Sequence, residues 1–100
     1  MRRFEVYAFH DPGGAEAVVV LQGEHYQDLS TVVVVPLFPV EATKPLSVIN
    51  PILHVAGKDM ILKTDILGPL PRQLLTGRID DLSAEAFAIQ NAIDRLFSDY

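Results

Sequence analysis

A single long helical stretch ends a chain that otherwise reads as strands. Leu82 to Tyr100 (LSAEAFAIQNAIDRLFSDY) sets Ile89, Ile93, Leu96 and Phe97 at helical spacing on one face. Gln90, Asn91, Asp94, Arg95 and Ser98 fall mostly on the other. Ser83 is the expected N-cap, its hydroxyl accepting from the free amides of the first turn. Leu82 and Phe87 sit where a hydrophobic staple would pin the entry angle. One helix at one end excludes a fold of alternating β and α units. One face should pack on a sheet, leaving the opposite side and the tip for a partner.

The strands come first. Phe4 to Phe9 alternates with period two and predicts an opening strand. His10-Asp11-Pro12-Gly13-Gly14 is turn chemistry. Ala17 to Leu21 is continuously apolar, a strand covered on both faces. Thr31 to Phe38 (TVVVVPLF) is the most β-prone stretch, because branched side chains suit a pleated buried surface. Pro36 cannot donate to a ladder and so marks a bulge, a strand end or an edge. Ile52 to Val55 and Met60 to Thr64 flank Ala56-Gly57-Lys58-Asp59, which predicts a hairpin with a bulged or four-residue turn. Ile66 to Pro71 reads as a bent crossing more than a clean strand, and Leu74 to Ile79 as a last short strand. Five or six short strands closed by a C-terminal α-helix predict a mostly β fold, a small antiparallel barrel forming one domain over residues 1–100.

Composition narrows the function. The chain has no cysteine, which excludes disulfides and thiolate chemistry and fits a reducing cytoplasm. Its formal net charge of −5 matches phosphate backbones poorly and suits a basic protein partner. The longest apolar run, Val32 to Val40, is too short to span a bilayer. Neither direct nucleic-acid binding nor a membrane is expected. His10, His25 and His54 are scattered without metal-ligand spacing: His10 and His25 read as loop residues and His54 as a strand residue hydrogen-bonded locally. Asp80-Asp81 suits capping electrostatics at the helix start, and Thr76-Gly77-Arg78 a turn. No catalytic residue, metal or cofactor is expected.

The helix tip stands apart. Phe97 and Tyr100 put aromatic surface there, while Asp99 adds negative charge where the macrodipole disfavours it. Either Phe97 sits in the core under a frayed last turn, or the tip docks on a partner or a second copy of the chain.

Six motifs follow in order: Phe4-Glu5-Val6-Tyr7, Val34-Val35-Pro36-Leu37, Pro51-Ile52-Leu53-His54-Val55, Lys63-Thr64-Asp65, Asp81-Leu82-Ser83, and Asn91-Ala92-Ile93 with Phe97 one turn on. Together they resemble the CcdB toxins of plasmid and chromosomal addiction modules, collinearly over nearly the whole chain. The resemblance implies an SH3-like barrel, a homodimer, and a bacterial cytoplasmic toxin of a toxin–antitoxin pair. CcdB proteins act without catalysis: the dimer inserts between the A subunits of DNA gyrase and traps the cleaved DNA complex. The implied antitoxin carries a disordered segment that folds on binding.

Carried onto this chain, the resemblance places target contact on Asp94, Phe97, Ser98, Asp99 and Tyr100, and antitoxin contact on His25 and Tyr26. The well-studied toxin ends in Trp-Gly-Ile where this chain has Ser98-Asp99-Tyr100. Tyr100 is expected to replace the lost Trp in part as an aromatic anchor. Asp94 stands where that toxin has Asn, and His25 and Tyr26 replace two isoleucines. Two other readings stay open. One is a relative that no longer poisons gyrase and serves as an antitoxin-binding decoy; the other is an endoribonuclease, since mRNA interferase toxins share this barrel.

Overall fold

A computed structural model describes residues 1–23, 29–42, 44 and 48–98. Among these, the strands are β1 (Glu5–Ala8), β2 (Ala17–Val20), β3 (Thr31–Pro39), β4 (Ile52–Val55), β5 (Lys58–Leu62), β6 (Gly68–Pro71) and β7 (Arg78–Asp81). The helix α1 covers Ala86–Leu96. The pairing is antiparallel throughout, in the order β4-β5-β3-β2-β1-β7, with β6 attached to β3 beside that path. The sheet curls into a half-barrel with the helix laid against it, so the mostly β fold expected from the sequence holds.

Period two explains the two cores. Ala17 and Val19 of β2, with Val35 and Leu37 of β3, point into the main core, which Leu82, Ile89 and Ala92 cover from the helical end. Val18 and Val20, with Val32 and Val34, point the other way and meet Leu75, Tyr7, Phe9 and Leu70. Both faces of β2 are buried, as its unbroken apolar run requires. Ile89 is fully buried, a contribution of about 1.5–3 kcal/mol to holding the helix on the sheet.

Pro36 lies inside the longest strand, at neither a bulge nor an edge. One side of β3 pairs with β6 over Thr31 to Val34 and with β5 over Leu37 to Pro39, and Pro36 falls at the changeover. Its carbonyl accepts from Lys63 N at 3.0 Å on that side. The amide and carbonyl of one strand residue face the same way, so the missing donor falls in the gap between β6 and β5. A proline is tolerated where no ladder partner awaits its nitrogen.

Three further expectations change. The hairpin turn is two residues long: Val55 pairs with Lys58, and Ala56 (φ 48) and Gly57 (φ 90) both take the positive φ of a type I′ turn. Gly68–Pro71 is a true strand despite its two prolines: among the described residues it pairs with β3 alone, so one side carries no ladder. The last strand starts at Arg78, after a 3-10 turn at Arg72–Leu74 and Gly77 at φ 73.

The helix also begins later than Ser83. A 3-10 turn at Ser83–Glu85 precedes α1. Asp81 Oδ1 accepts both the amide of Ser83, at 2.8 Å, and its hydroxyl, so that hydroxyl donates to a carboxylate and caps no amide. The staple is absent as well: Leu82 is buried while Phe87 is 87 % exposed.

Candidate functional site

The exposed end of α1 is assembled by helical spacing. Phe97 N still donates to Ile93 O at 3.2 Å, so the helical path runs through Phe97. Phe97 is nevertheless 68 % exposed, which decides against its placement in the core. The stripe that packs inward is Ile89, Ala92 and Ile93. Small Ala92 carries weight there that an apolar-periodicity reading misses.

Asp94 lies one turn before Phe97 and is exposed. Its Oδ1 accepts from Gln90 Nε2 at 3.0 Å, and its carbonyl accepts from the Ser98 hydroxyl at 2.9 Å. Asp94, Phe97 and Ser98 are thus brought together at one helix end. Asp99, Tyr100, His25 and Tyr26 lie outside the described residues. Phe87, two turns before Asp94 on the same outward side, joins the surface and was missed because it was read as a staple.

The N-terminal segment adds a neighbour with no local signal in the sequence. The Arg3 guanidinium lies 4.7 Å from the centroid of the Phe4 ring and donates to Gln90 Oε1. A cation from before β1 therefore reaches the outer face of α1 one turn before Asp94.

A second polar cluster sits where β1 meets β7. Glu5 is 7 % exposed and accepts from Arg2 N at 2.6 Å, from Tyr7 Oη at 3.0 Å and from Arg78 Nη1 at 3.0 Å. Burial pushes the Glu5 carboxyl up, but the bonds from Arg2, Tyr7 and Arg78 together outweigh it and hold the group below its usual range. Burial and the neighbouring Glu5 charge push the Tyr7 hydroxyl up. An ionised, triply bonded carboxylate and a harder-to-ionise phenol form a structural tie more than a proton-transfer pair.

His10 and His54 lie where the sequence places them, in a loop and in a strand with a local partner. His54 Nδ1 faces Asp59 Oδ1 at 3.2 Å across the β4–β5 hairpin, and His10 is exposed in a loop. Among the described residues, no three His, Asp or Glu side chains gather as metal ligands. Among them too, no helix is long and apolar enough to cross a membrane. A cavity of about 200 Å³ opens over the changeover in β3, lined by Phe9, Asp11, Val34, Pro36, Ile66 and Leu70 among others.

Three solved structures share this architecture. A mycobacterial endoribonuclease in complex with its cognate antitoxin superposes with a TM-score of 0.77 at 16 % identity, covering 95 % of this chain and 92 % of that one. The Mycobacterium tuberculosis toxin MazF-mt6 gives 0.74 at 19 % identity, with 96 % of each chain covered. A second mycobacterial endoribonuclease gives 0.76 at 14 % identity, covering 100 % and 94 %. At such identities the likeness is one of fold. No curated protein sequence matches the chain. The profile of the family described as CcdB protein matches residues 3–99. With that match spanning both the curled sheet and the helix, this chain belongs to the CcdB family of toxin–antitoxin toxins.

Proposed function

We propose that this toxin acts by occupancy and not by catalysis. Its homodimer docks the helix ends on the A subunits of DNA gyrase, in the cytoplasm, and traps the cleaved gyrase–DNA complex. A cognate antitoxin relieves the block, with His25 and Tyr26 among its contacts. One observation carries the reading: an aromatic side chain, Phe97, stands 68 % exposed at the helix end beside the Asp94 carboxylate. Exposed aromatics of this kind become anchors when a partner desolvates them. Membership of the CcdB family supports the choice of gyrase as the target.

Expression of the full chain in a gyrase-sensitive strain and in one carrying a poison-resistant gyrase tests the target. Growth arrest in the first strain alone supports it. Arrest in both points elsewhere, and absence of arrest with retained antitoxin binding favours the decoy reading. Deletion of Tyr100 should weaken arrest if that residue replaces the missing Trp.

An endoribonuclease is the second reading, kept open by the exposed guanidinium of Arg78 at the β1–β7 junction. RNA cleavage by the purified protein, lost in Arg78→Ala, would establish it in place of gyrase.

A further inference from the structure

Phe4, just before β1, takes a conformation that a bulky residue seldom adopts. Its φ is 73, in the left-handed region, where only strong surroundings hold a non-glycine residue. Those surroundings are present. Phe4 N donates to Val20 O at 2.7 Å, its carbonyl accepts from Leu82 N at 2.8 Å, and its ring packs on the main core. The turn that results lifts Arg3 over the ring, 4.7 Å from its centroid, and aims the guanidinium at Gln90.

The direction of the next bond follows from donor and acceptor chemistry. A guanidinium only donates, so it engages the carbonyl end of the Gln90 amide. The NH2 end must then point away, and it donates to Asp94 Oδ1 at 3.0 Å. Arg3 thereby sets which way the Gln90 amide faces, and Gln90 sets one oxygen of Asp94. The other oxygen accepts from no described residue, and Asp94 is exposed one turn before the exposed Phe97.

We infer that Arg3 is a positioning residue of the docking surface: through Gln90 it orients Asp94 toward a hydrogen-bond donor on a basic patch of the target. The inference rests on the gyrase reading above for the partner, and on the Arg3–Gln90–Asp94 chain for the geometry. It differs from a charge effect in sign. Arg3→Ala takes the formal net charge from −5 to −6, which by attraction alone would tighten binding to a basic partner. Loss of positioning weakens it.

The test is the affinity of the full-length chain for the purified DNA-cleaving subunit of gyrase, measured by calorimetry. Arg3→Ala and Gln90→Ala should each bind about tenfold more weakly, and the double variant no more than about tenfold, because the two residues act in series. Arg3→Lys, which keeps a donor and the charge but loses the planar stack on Phe4, should bind more tightly than Arg3→Ala. Arg3→Ala binding as tightly as the unaltered chain, or a double variant weakened about a hundredfold, overturns the inference. The side-chain amide resonances of Gln90 give a readout independent of any target. They should be well dispersed in the unaltered chain and averaged in Arg3→Ala; an unchanged Gln90 amide there also overturns it. Failure of the unaltered chain to bind gyrase would sink the gyrase reading, leaving the Gln90 resonances to decide the chain of bonds by themselves.

Discussion

Asp80 Oδ2 accepts the backbone amide of Ala56 at 2.8 Å, joining the two ends of the sheet path. Ala56 begins the turn after β4, and Asp80 lies in β7, so this bond ties strands that no ladder connects. Asp80 Oδ1 meanwhile accepts from Asp81 N at 2.7 Å, which fixes the carboxylate. The pair does part of what strand pairing would do in a closed barrel.

Asp80→Ala should therefore cost about 1 kcal/mol, the net worth of one such bond. Urea denaturation would show this as a lower midpoint with an unchanged slope. Amide exchange at Ala56 should speed up in the same variant. An unshifted midpoint would mean that solvent already competes for that amide.

The hairpin turn offers the opposite sign. Ala56 takes φ 48 at a position where Asn is favoured and Ala is not. Ala56→Asn keeps the amide that Asp80 needs and should stabilise the protein by about 0.4–1 kcal/mol. Gly57→Ala, at φ 90, should destabilise it by at least as much. Thermal midpoints of the two variants, compared with the parent, check both signs.

Acid should loosen the junction of β1 and β7. Glu5 has its folded-state pKa lowered, the bonds from Arg2, Tyr7 and Arg78 together outweighing the upward push of burial. The stability it adds is present above the ordinary Glu value of about 4.3 and is lost as pH falls through the lower folded value. Asp65, where bonds from Asn50 and Lys63 outweigh burial, and Asp81, held mainly by Ser83, are lowered too and act in the same direction. Glu5→Gln should destabilise the protein by about 1–3 kcal/mol at neutral pH. That difference should shrink as pH falls from 6 to 3. Denaturation midpoints for both proteins across this range would show it, and a constant gap would contradict it.

Two apolar residues of the helix should separate function from folding. Phe97→Ala removes exposed surface and should change stability by no more than about 0.5 kcal/mol while abolishing growth arrest. Ile89→Ala empties a fully buried site and should cost about 2–5 kcal/mol. Thermal melts beside growth assays distinguish the two. A destabilised Phe97→Ala would place that ring in the fold and not on the docking surface.

Local patterning determined much of this protein by itself. The valine runs of β2 and β3, the hairpin around Gly57 and the terminal helix are written in neighbours two to four residues apart, because side-chain period follows directly from backbone geometry. The order of six short motifs likewise disclosed the family. Only the tertiary structure decided the rest. Arg3 meets Gln90 across 87 positions, Arg78 meets Glu5 across 73, and Asp80 meets Ala56 across 24. Such bonds depend on how the sheet curls and leave no periodic trace in the chain. The same holds for Pro36, harmless only because two strands share one side of β3, and for Phe97, whose exposure depends on which face of α1 the sheet takes. Spacing lays out the stripes, and packing chooses which of them is buried.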